Sequence, residues 1–194
     1  MLKTGLCIVL FALAAGCVPT QKPLTDYVNP LLGTATLWDS VDLGFKPTKR
    51  TWGAEVFPGS SLPNAMVQVS PVTKFHSGAG YQYEDSVIYG FTHTNKGHWN
   101  LCHIPLLPVT GMPLPGDYCS PYSHARESAA PGYYRVFLDR YGVDAELTST
   151  LRCAFHKYTY PAGAQAALLA DLQRSNEHVR AWDIRKAVSY THLR

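Results

Sequence analysis

The chain has 194 residues, 46% hydrophobic and 16% charged, so it buries a core and is neither disordered nor a helical solenoid rich in Glu and Lys. Its 15 Gly and 14 Pro punctuate the sequence too often for long helices, which excludes an all-helical bundle and favours short strands and loops. The net charge of +3 comes from basic and acidic residues that are scattered, with no run beyond Lys49-Arg50, so nothing marks a nucleic-acid groove and no nucleic-acid partner is expected.

Residues 1–17 (MLKTGLCIVLFALAAGC) carry an early cation at Lys3, an apolar run from Leu6 to Ala15 and small residues before Cys17, the pattern of a bacterial secretion signal. The run is too short to span a bilayer as a helix, which takes roughly 20 residues. The ending Leu13 to Cys17 resembles a lipoprotein box, so Cys17 is the candidate lipidation site; its Leu lies one position early, which leaves plain cleavage open. Lipid there anchors the chain to a membrane, with residues 18–25 as linker and residues 26–186 as the folded domain, in the periplasm or on the cell surface. With Cys7 in the leader, Cys102, Cys119 and Cys153 remain for an oxidising compartment. Either one disulfide leaves one buried thiol, or all three are buried free thiols, with Cys153 on an apolar strand face.

Strand candidates follow at Met66 to Ser70, Tyr81 to Tyr83, Val87 to His93, Ile104 to Val109 and Ala166 to Leu172, separated by turns bearing Gly and Pro. The clearest pattern lies further on. Val143, Ala145, Leu147, Leu151, Cys153 and Phe155 alternate with polar residues, which predicts one strand of roughly 14 residues with a buried face. Tyr133 to Leu138 reads as its hairpin partner across a turn at Arg140-Tyr141-Gly142. The fold class is therefore all-β, an antiparallel β-sandwich. The stretches 33–59 and 95–101 are too irregular and aromatic to be plain turns, and binding groups tend to sit on such loops. The last residues, 187–194 (AVSYTHLR), resemble a translated sequencing adapter, so they are expected to be an artefactual tail, with the natural chain continuing beyond Lys186.

Carboxylate pairs suited to glycoside hydrolysis are poor: Glu84 and Asp85 are sequence neighbours, while Asp144 and Glu146 alternate with Thr and Arg as a solvated strand surface does. His93, His98 and His103 recur every five residues, a spacing that fits no common zinc pattern, so no metal site is assigned within the chain. His98-Trp99-Asn100 combines an aromatic face with planar polar groups, which suits a sugar, although a Trp in a loop is more often a core plug. His76 to Gly80 is a glycine-bearing loop that lets backbone approach a ligand, or a simple tight turn. No nucleophile elbow, phosphate loop or dinucleotide fingerprint is present.

Six ordered motifs carry a family likeness: Asp26 to Thr34 (DYVNPLLGT), Phe57 to Ser60 (FPGS), Pro63 to Pro71 (PNAMVQVSP), Gly80 to Tyr83 (GYQY), Gly90 to Thr94 (GFTHT) and Ala130 to Tyr134 (APGYY). Together they resemble glycoside hydrolase family 92 over residues 26 to 172. The resemblance implies an exported, calcium-dependent, inverting exo-α-mannosidase in which an N-terminal β-sandwich precedes a C-terminal (α/α)6 barrel. It places the general acid, the general base and the calcium ligands mainly in the barrel, so the chain alone is expected to be inactive, with no catalytic residue of its own. Its partners are then a glycan substrate and its own C-terminal domain. Between Pro71 and Tyr81 the family's Trp-bearing segment is missing, and after Thr94 the usual His-Leu-Ser-Gly becomes NKGHWN, so Trp99 substitutes for the absent aromatic or the sugar differs. The substrate-binding candidates are Phe57, His76, His98 and Trp99. A same-family glycosidase for another sugar, or a non-catalytic carbohydrate-binding surface lipoprotein, are the rival readings.

Overall fold

The computed structural model describes residues 21–36, 56–96, 99–114 and 116–175. The alternation read at Tyr133 to Ser149 produces a hairpin, with β10 (Tyr133–Leu138) antiparallel to β11 (Val143–Ser149) in the register Leu138↔Val143 to Tyr133↔Thr148. The turn closes as the Gly142 N–H donates to the Leu138 carbonyl at 2.8 Å. Period two then sends Tyr134, Val136, Leu138, Val143, Ala145 and Leu147 into the core and leaves Arg135, Asp144 and Glu146 on the opposite face. Each buried aliphatic contributes about 1.5–3 kcal/mol, so this hairpin is the backbone of the core.

The expected 14-residue strand does not continue through residue 156. The chain reverses after Ser149: the Thr150 N–H donates to the Cys153 carbonyl at 2.8 Å, and the Cys153 N–H to Thr150 Oγ1 at 3.1 Å. β12 (Ala154–Thr159) then folds back on β11 from the pair Ser149↔Ala154. The reversal inverts the side-chain parity, so Ala154 and Tyr158 pack on the core while Leu151, Cys153 and Phe155 are exposed. A threonine hydroxyl offering the backbone a local partner made the turn, and alternation alone does not register it.

β9 (Glu127–Ala130) completes a four-stranded sheet in the order β12-β11-β10-β9. The facing sheet has five strands in the order β1-β2-β4-β7-β13, from β1 (Ser60–Ser61), β2 (Gln68–Val72), β4 (Gly90–Thr92), β7 (Leu106–Thr110) and β13 (Ala166–Ala170). β11 lies over β1, β2 and β7, and the core joins Val69, Phe91, Leu107 and Val109 of one layer to the hairpin residues of the other. The antiparallel β-sandwich is therefore as the sequence predicted.

Several boundaries move. The single strand expected over Val87 to His93 splits, because β3 (Val87–Ile88) pairs with β8 (Ser120–Pro121) before the chain joins the main sheet as β4. Tyr81 to Tyr83 is not a strand. The remaining strands are short: β5 (Asn95–Lys96) and β6 (Trp99–Asn100) form a ladder of their own. All three described cysteines are free and only Cys102 is buried; Cys119 is half-buried and Cys153 exposed, so neither the disulfide nor a set of three buried thiols forms.

Candidate functional site

The loop after β2, residues 73–82, and the segment after β4, residues 94–103, meet where the Asn100 N–H donates to the Gly78 carbonyl at 2.9 Å. Asn100 is fully buried and serves as the hub, because its Oδ1 accepts from Thr92 Oγ1 at 3.1 Å and from the Cys102 N–H at 2.9 Å. The first loop is closed at its neck by three bonds. The Thr73 N–H donates to the Gly80 carbonyl at 2.8 Å, the Gln82 N–H to Thr73 Oγ1 at 2.9 Å, and Thr73 Oγ1 to Asp85 Oδ2 at 2.8 Å. Gly80 permits the crossing, since at φ 75° a Cβ there would lie 2.9 Å from both Asn100 Nδ2 and Cys102 Sγ.

Backbone strain concentrates on this platform. His76, Cys102 and Ile104 hold φ of 61°, 50° and 49°, conformations that cost non-glycine residues about 1–3 kcal/mol and that cluster where a structure positions functional groups. The platform presents His76, which is exposed, and Trp99, 40% exposed, on the short β5–β6 ladder through Lys96↔Trp99. An indole face of this kind stacks on sugar C–H groups, and imidazole bonds hydroxyls. Cys102 beneath is no nucleophile, because burial pushes its thiol up to about 12.

Of the residues the sequence singled out, the structure thus brings the loops of His76 and Trp99 together. Phe57 belongs to another element, half-buried in the lead-in to β1, and His98 lies outside the described residues. The amide of Asn100, read as a sugar contact, is turned inward as architecture. The weak carboxylate pairs are structural as well: Glu84 takes the Thr36 N–H at 2.7 Å, Asp144 pairs with Arg135, and Glu146 binds Lys157 Nζ and the Tyr133 hydroxyl. The Lys157 hydrogen bond leads the effects that hold the Glu146 carboxyl below its usual range.

Two polar clusters were missed from sequence. Glu127 on β9 has a fully buried side chain, and its carboxylate accepts from the Tyr81 hydroxyl at 3.0 and 3.1 Å and from the Tyr134 hydroxyl at 2.5 Å. His124 Nδ1 stands 2.5 Å from Glu127 Oε2 while its Nε2–H donates to the Tyr83 carbonyl at 2.7 Å, and its ring stacks on Tyr83. Burial first, and the Glu127 charge second, push the Tyr81 and Tyr134 phenols far above their ordinary range, so both remain donors. Tyr81 lies in the platform loop, so this carboxylate ties that loop to the other sheet. The available signal was a charged residue sharing parity with Ala129 on an inward strand face.

The second cluster joins the layers through His93 at the end of β4 and His156 on β12, whose Nε2 atoms are 2.8 Å apart. The Tyr158 hydroxyl lies 2.6 Å from His156 Nδ1. Burial, followed by the charge of His93, lowers His156 to about 4, and burial lowers His93 too, so both rings are neutral at pH 7. The five-residue histidine recurrence is not the relevant arrangement, since His93 finds its partner 63 residues away.

The fold and the site define an antiparallel β-sandwich that carries a strained, loop-built platform presenting an imidazole and an indole. The model of the glycosyl hydrolase family 92 N-terminal domain matches residues 27–192, and the chain belongs to that family. Among solved structures it is similar to the family 92 alpha-mannosidase BT3965 of Bacteroides thetaiotaomicron, at 33% identity and a TM-score of 0.66 over 79% of this chain and 20% of that one. It is also similar to the family 92 glycosyl hydrolase ccman5, at 29% identity and a TM-score of 0.61 over 78% of this chain and 21% of that one. The inverting mannosidase BT2199 of the same Bacteroides species matches at 26% identity and a TM-score of 0.61, over 76% of this chain and 19% of that one. The chain thus spans about a fifth of the length of the solved proteins it matches. No curated protein matches it.

Proposed function

We propose that this domain is the N-terminal part of an exported exo-α-mannosidase that cleaves glycans with inversion, and that it contributes sugar-contacting loops rather than catalytic groups. The observation that carries the reading is the 33% identity over 79% of the chain to a family 92 alpha-mannosidase. Phe57, His76, His98 and Trp99 are the proposed sugar contacts, with the Trp99 indole stacking on the ring and His76 bonding a hydroxyl. The general acid and the water-activating carboxylate belong to a following domain, and the isolated chain is inactive. Inversion requires two carboxyl groups roughly 6.5–9.5 Å apart with room for water between them.

Calcium dependence is part of the family likeness, but the described residues do not fit a calcium site. No group of three or more His, Cys, Asp or Glu converges among them, and the one fully sequestered carboxylate, Glu127, is occupied by three protein donors. We assign calcium, following the family likeness, to the domain that follows this one in the family. A second reading, a glycosidase of the same family for another sugar, is favoured by the lack of Trp between Val72 and Gly80 and its appearance at Trp99.

The test extends the reading frame beyond Lys186 and assays the completed protein and the present chain on a panel of aryl glycosides, with and without a chelator. Chelator-sensitive release of α-mannose by the completed protein alone supports the reading. Release of another sugar selects the second, and a stop codon near this point points to a carbohydrate-binding lipoprotein. Export through a lipidated Cys17, which lies outside the described residues, is checked with Cys17→Ser: acyl labelling is lost and the protein leaves the membrane fraction.

A further inference from the structure

We propose that His93 and His156 form a two-imidazole site for a transition-metal cation of the zinc, nickel and copper(II) class, with Tyr158 as the residue that orients the second ring. The two Nε2 atoms converge to 2.8 Å from opposite sheets of the sandwich. A cation about 2.0–2.1 Å from each nitrogen, with an angle at the metal between about 90° and 109°, needs those nitrogens about 2.9–3.4 Å apart. To take the ion the rings, tilted 51° to one another, open by a few tenths of an ångström and turn so that both Nε2 lone pairs point at the cation rather than at each other. His93 lies just past the end of β4, where such a movement disturbs no ladder pair of that strand.

The second arrangement that favours metal is the contact on the far side of the His156 ring. Metal-bound imidazoles almost always have their other nitrogen held by a polar partner, which fixes tautomer and direction. Here the Tyr158 hydroxyl stands 2.6 Å from His156 Nδ1, and the Tyr158 ring is stacked with Phe91 of the facing sheet. With the Nδ1 proton donated to Tyr158, the Nε2 lone pair of His156 is directed at His93. With that tautomer, His93 supplies the bridging proton from Nε2 in the metal-free pair. On binding, that proton passes through solvent to His93 Nδ1, so both Nε2 atoms become ligands and no net proton is released.

Both histidines are half-buried, so water fills the remaining coordination positions. Imidazole suits zinc, copper(II) and nickel, whereas calcium takes oxygen ligands and has no claim on this pair.

The experiment uses the full, tag-free chain with Cys119→Ser and Cys153→Ser, which removes the described thiols that water reaches. Cys7→Ser and Cys17→Ser are added so that no leader thiol competes, and the protein is titrated with zinc chloride, with copper(II) chloride, and with calcium chloride as control. Zinc is expected to raise the thermal midpoint while calcium leaves it unchanged. The electron paramagnetic resonance spectrum of the copper(II) form is expected to show coupling to two imidazole nitrogens. His93→Gln and His156→Gln should each weaken binding at least tenfold, and Tyr158→Phe about tenfold while leaving both ligands in place. Circular dichroism of the metal-free variants establishes that they fold; a variant that does not fold is replaced by His93→Phe or His156→Phe. Titrations unchanged in the folded histidine variants, or a copper spectrum without two imidazole nitrogens, overturn the site.

Discussion

The four-stranded sheet and the platform laid over the five-stranded sheet are built on different principles. In the hairpin β10–β11, local alternation does nearly everything: inward residues are apolar and fully buried, and outward residues pair across strands, Arg135 with Asp144 and Glu146 with Lys157 of the neighbouring β12. The platform has almost no apolar periodicity. It is held by Asn100, Thr73 and the close approach at Gly80, each working through partners in another segment. Hydrophobic alternation yields a robust scaffold, while a polar network yields a defined but strained surface on which ligand groups can be fixed.

Glu127 joins the two regions, and its removal should have the largest effect. Glu127→Ala leaves two phenols and His124 without their shared acceptor and is expected to cost about 3–5 kcal/mol, read as a fall in the urea midpoint. In a background with Trp38→Phe, Trp52→Phe and Trp182→Phe, a change in Trp99 emission that precedes loss of the far-ultraviolet signal would mean that the platform melts separately. Gly80→Ala sharpens the contrast from the other side. The positive φ and the 2.9 Å contacts predict a loss of about 2–3 kcal/mol, with hydrogen exchange accelerating in residues 73–103 and unchanged in β10 and β11.

The histidine pair supplies an effect of intermediate size. An ordinary histidine takes up a proton near pH 6.5, whereas His156 in the fold does so at about 4, so the unfolded chain binds more protons between those values. The pair's stabilisation is therefore complete above about pH 6.5 and is lost as pH falls towards 4. After allowance for solvent at this half-buried site, the metal-free protein should lose about 2 kcal/mol across that window. Urea melts of wild type and His156→Phe at the two pH values test this, since the variant should lack that part of the slope. The smallest effect belongs to the outer face: Arg135→Ala should leave the urea midpoint unchanged within error, because exposed ion pairs contribute little.

How much was legible follows from how far each feature reaches along the chain. The β10–β11 hairpin was readable with its turn, because its pattern and its closing Gly142 lie within a few residues of one another. The same pattern misled beyond Ser149, where Leu151 and Phe155 keep the parity in sequence but are exposed after the Thr150 turn. On the platform, glycines and aromatics singled out the His76 loop and Trp99 in the sequence, and the structure sets those two segments side by side. The inward turn of Asn100 was not, since it depends on Thr92 and Gly78 lying on either side of it.

The sequence by itself determined the all-β class, the central hairpin and the six ordered motifs of family 92, because alternation, turn chemistry and motif order are properties of neighbouring residues. Only the tertiary structure decided that Glu127 is a buried tie between sheets, that Asn100 is a hub, and that His93 meets His156 across 63 residues. Those choices are made when the two sheets stack: burial then removes water as a partner, and each polar group must bond to whatever the opposite layer brings within reach.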